Sequence, residues 1–172
     1  QPMGFWSIET IKEDARRHGI EILNPDINLS TSKCAIEEPS SIRIGLSNIN
    51  DLGEATIKLI LNERYSQGTF ESLRDFMNRV SIKFKAIQSI INVGSFDSIS
   101  TNRRMLQWEM ELRYRTKTNQ LSLDLPISQD IPCLKPMNDW ETMLLEYQTM
   151  GIYPSGHIME KLRSHLPDDV IT

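Results

Sequence analysis

The sequence has no long apolar run. Its longest unbroken stretches are three residues, as in Leu59-Ile60-Leu61, where a bilayer span needs about 20. Gln1-Pro2-Met3-Gly4 lacks a basic region followed by an apolar one, so no secretory signal is read there. A cytoplasmic setting with no membrane partner is the expectation. Cysteine is scarce: Cys34 and Cys133 lie too far apart for a metal-ligand spacing. The three histidines, His18, His157 and His165, each fall near a predicted helix end, where an imidazole meets the local dipole or solvent. No metal site is expected. Catalytic constellations are missing as well: there is no promising Ser-His-Asp order, phosphate-cradling glycine loop or HExxH, and no closely spaced aspartates on a strand to hold two magnesium ions. Glu37-Glu38 and Asp168-Asp169 read as solvated loop charges. The chain by itself is expected to catalyse nothing and to need no cofactor.

Strong charge of either sign is also lacking. The net charge of -4 over 172 residues argues against coating nucleic acid by bulk electrostatics. The distribution is uneven, however. Residues 1–70 carry 7 basic and 10 acidic side chains, residues 71–118 carry 9 and 5, and residues 119–172 carry 3 and 8. The basic middle third could track a phosphate backbone or be a solvated face.

What the sequence has is helical periodicity. Ser7 caps a short amphipathic helix with Ile8, Ile11 and Ala15, closed by Arg16, Arg17, His18 and Gly19. After a break at Asn24-Pro25-Asp26, residues 33–38 and 42–46 flank Pro39-Ser40-Ser41 as a small β-hairpin. A helix follows from Gly53 to Tyr65, a shorter one from about Glu71 to Arg79, and a third, capped by Ser81, runs to Val93 and stops at Gly94. Thr101 caps a longer helix carrying Met105, Trp108 and Leu112. Composition shifts at about Thr116 to a linker over 116–137 with Pro126, Pro132 and Pro136. Asn138 and Glu141 then form a capping box for a helix with Trp140, Met143, Leu144 and Tyr147 on one face, and a final helix carries Ile158, Leu162 and Leu166. Both ends read as cut from something larger.

Two segments carry a mechanism. A hairpin of the form apolar, x, Gly, apolar, Gly between helices presents backbone N–H groups at a helix start, where a phosphate binds without any side-chain code. Ile49-Asn50-Asp51-Leu52-Gly53 has this form, with aspartate in place of the first glycine. Aspartate tolerates the turn, but its carboxylate repels a phosphate. Residues 82–115 repeat the layout around Asn92-Val93-Gly94-Ser95, followed by a helix with Asn102, Arg103, Arg104, Arg113, Arg115 and Lys117. Two such units would grip duplex backbone without reading sequence. A plain helical bundle with glycine C-caps fits the same pattern. The second segment is Gln120-Leu121-Ser122-Leu123-Asp124-Leu125. Leucines at period two in a linker, with no second strand nearby, suit a peptide that docks on another protein. Burying two leucines is worth roughly 1.5 to 3 kcal/mol each, which after ordering costs leaves about micromolar binding.

In this order the segments resemble the bacterial DNA polymerase III alpha subunit, a family C DNA polymerase. QPMGFWSIETIKEDARRHGIEILNPDINLS is similar to the end of its fingers, and IRIGLSNINDLGEATIKLILNERYSQGTFESLRDFMNRV with KAIQSIINVGSFDSISTNRRML to its tandem helix-hairpin-helix region. QLSLDL is similar to its sliding-clamp motif, and EYQTMGIYPSGHIMEKL to the lead-in to its OB domain. The resemblance implies a mainly α fold: a tandem helix-hairpin-helix domain with a small β-hairpin, then a linker and a C-terminal helical pair. The implied divisions are 1–30 for the end of the fingers, 31–118 for the DNA-binding domain, 119–137 for the linker with the clamp motif, and 138–172 for the lead-in. It implies clamp contacts by Gln120, Leu121, Leu123 and Leu125, and duplex contacts near Leu52, Gly53, Gly94, Asn102, Arg103 and Arg104. The implied partners are the sliding clamp, duplex DNA and other replisome subunits. Magnesium and the nucleotidyl transfer reaction belong to the parent chain, whose palm aspartates match nothing here. A freestanding helix-hairpin-helix DNA-binding or repair adaptor, or a helical scaffold with a mere spacer at 116–137, are the alternative readings.

Overall fold

In the computed structural model the described residues are 6–37, 39–119 and 134–163. They form α1 (Ile8–Arg17), β1 (Glu21–Leu23), β2 (Ala35–Glu37), β3 (Ser41–Arg43), a 3-10 turn (Leu46–Asn48), α2 (Glu54–Gln67), α3 (Leu73–Arg79), α4 (Phe84–Asn92), α5 (Arg103–Asn119), α6 (Asp139–Met150) and α7 (Ile158–Leu162). The fold is mainly α with one small sheet, as the sequence led us to expect. No helix among the described residues is long and apolar enough to cross a membrane.

The core is built where the helical periodicity is strongest. Ile57 and Ile60 of α2, Leu73, Phe76 and Met77 of α3, and Ala86, Ile87, Ile90 and Ile91 of α4 are all buried together. Phe76 stands edge-on between Phe70 and Phe96, with ring centroids 5.1 and 5.4 Å away, an arrangement that suits the ring quadrupoles. Phe96 lies in the loop between α4 and α5, so the core itself fixes that loop. The stretch after β1 is strapped onto this core. Asn28 exchanges hydrogen bonds with the Phe70 backbone at 2.9 and 2.8 Å, and Arg64 donates to the carbonyls of Ile27 and Ser30.

Several elements differ from expectation for local physical reasons. The hairpin strands are shorter than 33–38 and 42–46, and β3 pairs on its other edge with β1 in parallel, giving the order β1-β3-β2. Leu46, expected at the end of a strand, opens the 3-10 turn fully buried. The cap of α4 is Lys83 rather than Ser81. For α5 the cap is made by Asn102 rather than Thr101, its Oδ1 accepting from the Met105 N–H at 3.2 Å, and the helix continues past Thr116 to Asn119. In α7 the described helix ends at Leu162; Leu166 and His165 lie outside the described residues.

Helix α1 is turned over. Its apolar residues Ile8 and Ile11 are 57% and 60% exposed, while Lys12 is 3% exposed. The Lys12 ammonium donates to the Tyr153 and Gly156 carbonyls at 2.9 and 2.5 Å and is paired with Glu9 and Glu13, so its charge is matched where it is buried. Glu9 also accepts from the Tyr147 hydroxyl at 3.1 Å. Burial, followed by the Glu9 charge, pushes the Tyr147 phenol up to about 12.

Candidate nucleic-acid interface

The first hairpin spans 49–53 and leads into α2. Ile49 and Leu52 point into the core, so the turn between them is held from inside. Asp51 sits at φ 66°, the only described non-glycine residue with positive φ, a conformation a short polar side chain tolerates best. Its carboxylate is drawn off the turn towards α4: Ser89 Oγ lies 3.1 Å from Oδ2 and Lys85 Nζ 3.4 Å from Oδ1. Gly53 follows as the N-cap of α2, extended at φ -74° and ψ 161°, with no side chain bonding the first N–H groups of the helix. A Cβ built on Gly53 would meet nothing within 4 Å. The start of α2 is therefore exposed, uncapped and open to an incoming anion.

The second hairpin, between α4 and α5, is closed. Gly94 at φ 79° is buried, and a Cβ there would lie 2.1 Å from Arg103 Nη2 and 2.5 Å from Asp97 Oδ2. The N–H groups of Gly94, Ser95 and Asp97 donate to Ile91, Ile90 and Gly94 carbonyls at 3.0, 3.1 and 2.9 Å. Arg103 lies across the glycine with 7% exposure. It donates to Asp97 at 2.6 and 3.0 Å, to the Asn92 carbonyl at 2.9 Å, and pairs with Glu146 of α6 at 2.8 Å. Burial alone would lower the Arg103 pKa, but the bonds to Asp97 and Glu146 carry it above the usual value. Glu146 is itself 1% exposed. Burial raises its pKa, which Arg103 and Asn24 only partly offset, and its Oε2 has no hydrogen-bond partner.

The structure thus gives the expected site residues different surroundings. Gly53 is open and Leu52 anchors its turn. Gly94 and Arg103 are interior members of the second hairpin. Asn102 caps α5 and donates to the Leu134 carbonyl at 2.8 Å, and Arg104, partly exposed, pairs with Glu141 at 2.8 Å. The clamp residues Gln120, Leu121, Leu123 and Leu125 lie outside the described residues. Sequence reasoning missed Lys85, 75% exposed in its side chain and beside the first hairpin, and Glu146. A polar cleft of about 430 Å³ opens next to the first hairpin, lined by Asn50, Lys85, Gln88 and Gln148 among others. A second, of about 580 Å³, flanks the second hairpin between Arg16, Arg43 and Asp97.

Comparison with known proteins matches residues 19–106 to the helix-hairpin-helix motif family, which covers both hairpins. Over 167 residues, 96% of this chain is 28% identical to an error-prone DNA polymerase of Mycolicibacterium paratuberculosis. The DNA polymerase III subunit alpha of Aquifex aeolicus is 32% identical over 152 residues and that of Deinococcus radiodurans 30% over 166, each covering 86% of this chain. The chain spans only 12–15% of the length of these relatives. The chain belongs to the helix-hairpin-helix family and matches one segment of bacterial family C DNA polymerases.

Proposed function

We propose that the chain holds duplex DNA by its backbone, as the non-catalytic helix-hairpin-helix segment of a bacterial family C polymerase, and carries a sliding-clamp peptide at Gln120, Leu121, Leu123 and Leu125. The observation that carries the DNA reading is the uncapped start of α2 at Gly53. Unbonded N–H groups and the positive end of the helix dipole there attract a phosphate without regard to base sequence. Lys85 stands beside the same turn. It offsets the Asp51 carboxylate and supplies a cation for the neighbouring phosphate.

The buried positions of Gly94 and Arg103 give the second hairpin a positioning role, with Arg103 holding the turn rather than touching phosphate. The polymerase relatives match nearly the whole chain, which favours this reading over a freestanding adaptor. Divisions at 30, 118 and 137 remain part of the proposal, as do replisome partners. In this reading magnesium belongs to the catalytic part of the parent polymerase, and this segment needs no cofactor of its own. The clamp reading rests on the QLSLDL pattern. Holding an enzyme to a clamp keeps it at high effective concentration near the primer end.

The test is a salt titration of duplex binding by the 172-residue chain, read by anisotropy of a labelled duplex. Binding should weaken as salt rises and be indifferent to base sequence. Salt-independent or absent binding would sink the DNA reading. Separately, a peptide of residues 116–127 titrated against the matching sliding clamp should bind, and should lose binding with Gln120→Ala combined with Leu123→Ala.

A further inference from the structure

Helix α6 lies across both hairpins. Near its C-terminal end the carbonyls of Thr149 and Gln148 accept from the Asn50 main-chain N–H at 3.0 Å and from Asn50 Nδ2 at 3.2 Å, gripping the first hairpin. Just before these, Glu146 reaches under the second. Its Oε1 is 2.8 Å from Arg103 Nη1 and 2.7 Å from Asn24 Nδ2, and Arg103 in turn holds Asp97 in the turn itself. One helix, separated from α5 in the chain by residues 120–138, thereby bonds each hairpin at a distinct point.

We propose that α6 is a brace that sets the spacing of the two hairpins, with Glu146 and Asn50 as its positioning residues. The burial of Glu146 supports this. A carboxylate buried with one oxygen unpaired is a burden to the fold. A leucine at that position would bury without that cost, but it could not orient Arg103. Cutting the brace leaves the shared core, in which Ile49 and Leu52 of the first hairpin are buried with Val93 and Phe96 of the second, and the tie from Asp51 to Ser89 and Lys85 of α4, so the hairpins should loosen rather than separate. The consequence for DNA rests on the function proposed above: two backbone contacts held at fixed spacing bind duplex with less ordering cost than two that must first be arranged.

The experiment measures spacing and binding separately. Spin labels are placed at Glu54→Cys and Ser98→Cys, exposed positions beside the first and second hairpins, in the 172-residue chain with Cys34→Ser and Cys133→Ser. The interlabel distance distribution should be narrow in this parent and narrow in Glu146→Gln, whose amide oxygen still accepts from Arg103 and Asn24. It should broaden in Glu146→Leu and, less, in Asn50→Ala. Duplex affinity, measured in unlabelled chains that keep Glu54 and Ser98, should follow, falling about tenfold for Glu146→Leu and staying within about twofold for Glu146→Gln. Equal widths in the parent and in both Glu146→Leu and Asn50→Ala would overturn the brace. If Glu146→Leu does not fold, Asn50→Ala decides the matter, because its side chain is exposed and its loss removes one bond. Broadening in a chain whose parent binds no duplex would keep the brace and reject the DNA reading; unchanged widths with intact duplex binding would do the reverse.

Discussion

Replacing Gly53 with aspartate should strengthen the fold and weaken DNA binding at once. Gly53 already has the extended backbone of an N-cap, and a Cβ meets nothing within 4 Å, so the side chain enters without strain. Its carboxylate would accept from the open N–H groups at the start of α2. Over glycine this cap is worth a few tenths of a kcal/mol, with about 0.3 to 1 kcal/mol more from the helix dipole. The exposed Glu54 next to it and Asp51 take part of that back by like-charge repulsion. A net gain of about 0.5 kcal/mol should raise Tm by roughly 1 to 2 °C in a chain of this size. The same carboxylate occupies the place of the phosphate. Losing hydrogen bonds to a charged group costs about 1.5 to 3 kcal/mol, so duplex affinity should fall by about tenfold to a hundredfold. Thermal melting and anisotropy on one sample read both effects. Gly53→Ser caps without charge and should weaken binding less. If Gly53→Asp raises Tm while duplex affinity stays the same, the start of α2 does not contact phosphate and the reasoning fails.

Three further outcomes follow from the same geometry. Gly94→Ala forces a Cβ into Arg103 at φ 79° and should cost roughly 2 to 4 kcal/mol in urea unfolding, by backbone strain and displacement of a buried ion pair; a loss under about 0.5 kcal/mol would contradict the closed second hairpin. Asp51→Gly removes the carboxylate beside the open helix start and frees Lys85, so duplex binding should tighten several-fold at low salt, whereas weaker binding would mean the Asp51 ties to α4 matter more than its charge. For Glu146 the folded pKa is raised above its ordinary 4.5, so its contribution to stability is fully present in acid below that value and is lost as pH rises through the folded value. The stability difference between wild type and Glu146→Gln should therefore turn steadily against wild type as pH climbs from 4.5, and a difference that moves in wild type's favour would refute the assignment.

Much of the fold was legible because it is local. The capping box of Asn138 and Glu141 is present as expected, the apolar stripe of α4 is buried, and the Asp51 turn has the backbone that its short polar side chain suggested. Strand β1 was not legible, since three residues give no period and its parallel pairing with β3 is a non-local choice. Lys12 and Glu146 were missed for one shared reason. Hydrophobic periodicity assigns charged residues to solvent, and these two are inward because carbonyls and counter-charges from distant elements receive them. In α6 that error exchanged the faces in part: Trp140 and Leu144 are partly exposed while Glu146 and Thr149 are buried with Met143. At the interface, sequence reasoning found both hairpins but not which one is open. That depends on whether Arg103 lies over Gly94, a contact no spacing rule contains.

The central claim is that the open start of α2 meets the phosphate backbone. Backbone amide shifts of the 172-residue chain, followed by nuclear magnetic resonance as an unlabelled duplex is added, test it most directly. The account predicts the largest changes at the amides of Gly53, Glu54 and Ala55 and at the neighbouring Lys85, with smaller ones across Gly94–Asp97. Changes centred on the second hairpin with residues 53–55 unmoved would contradict it.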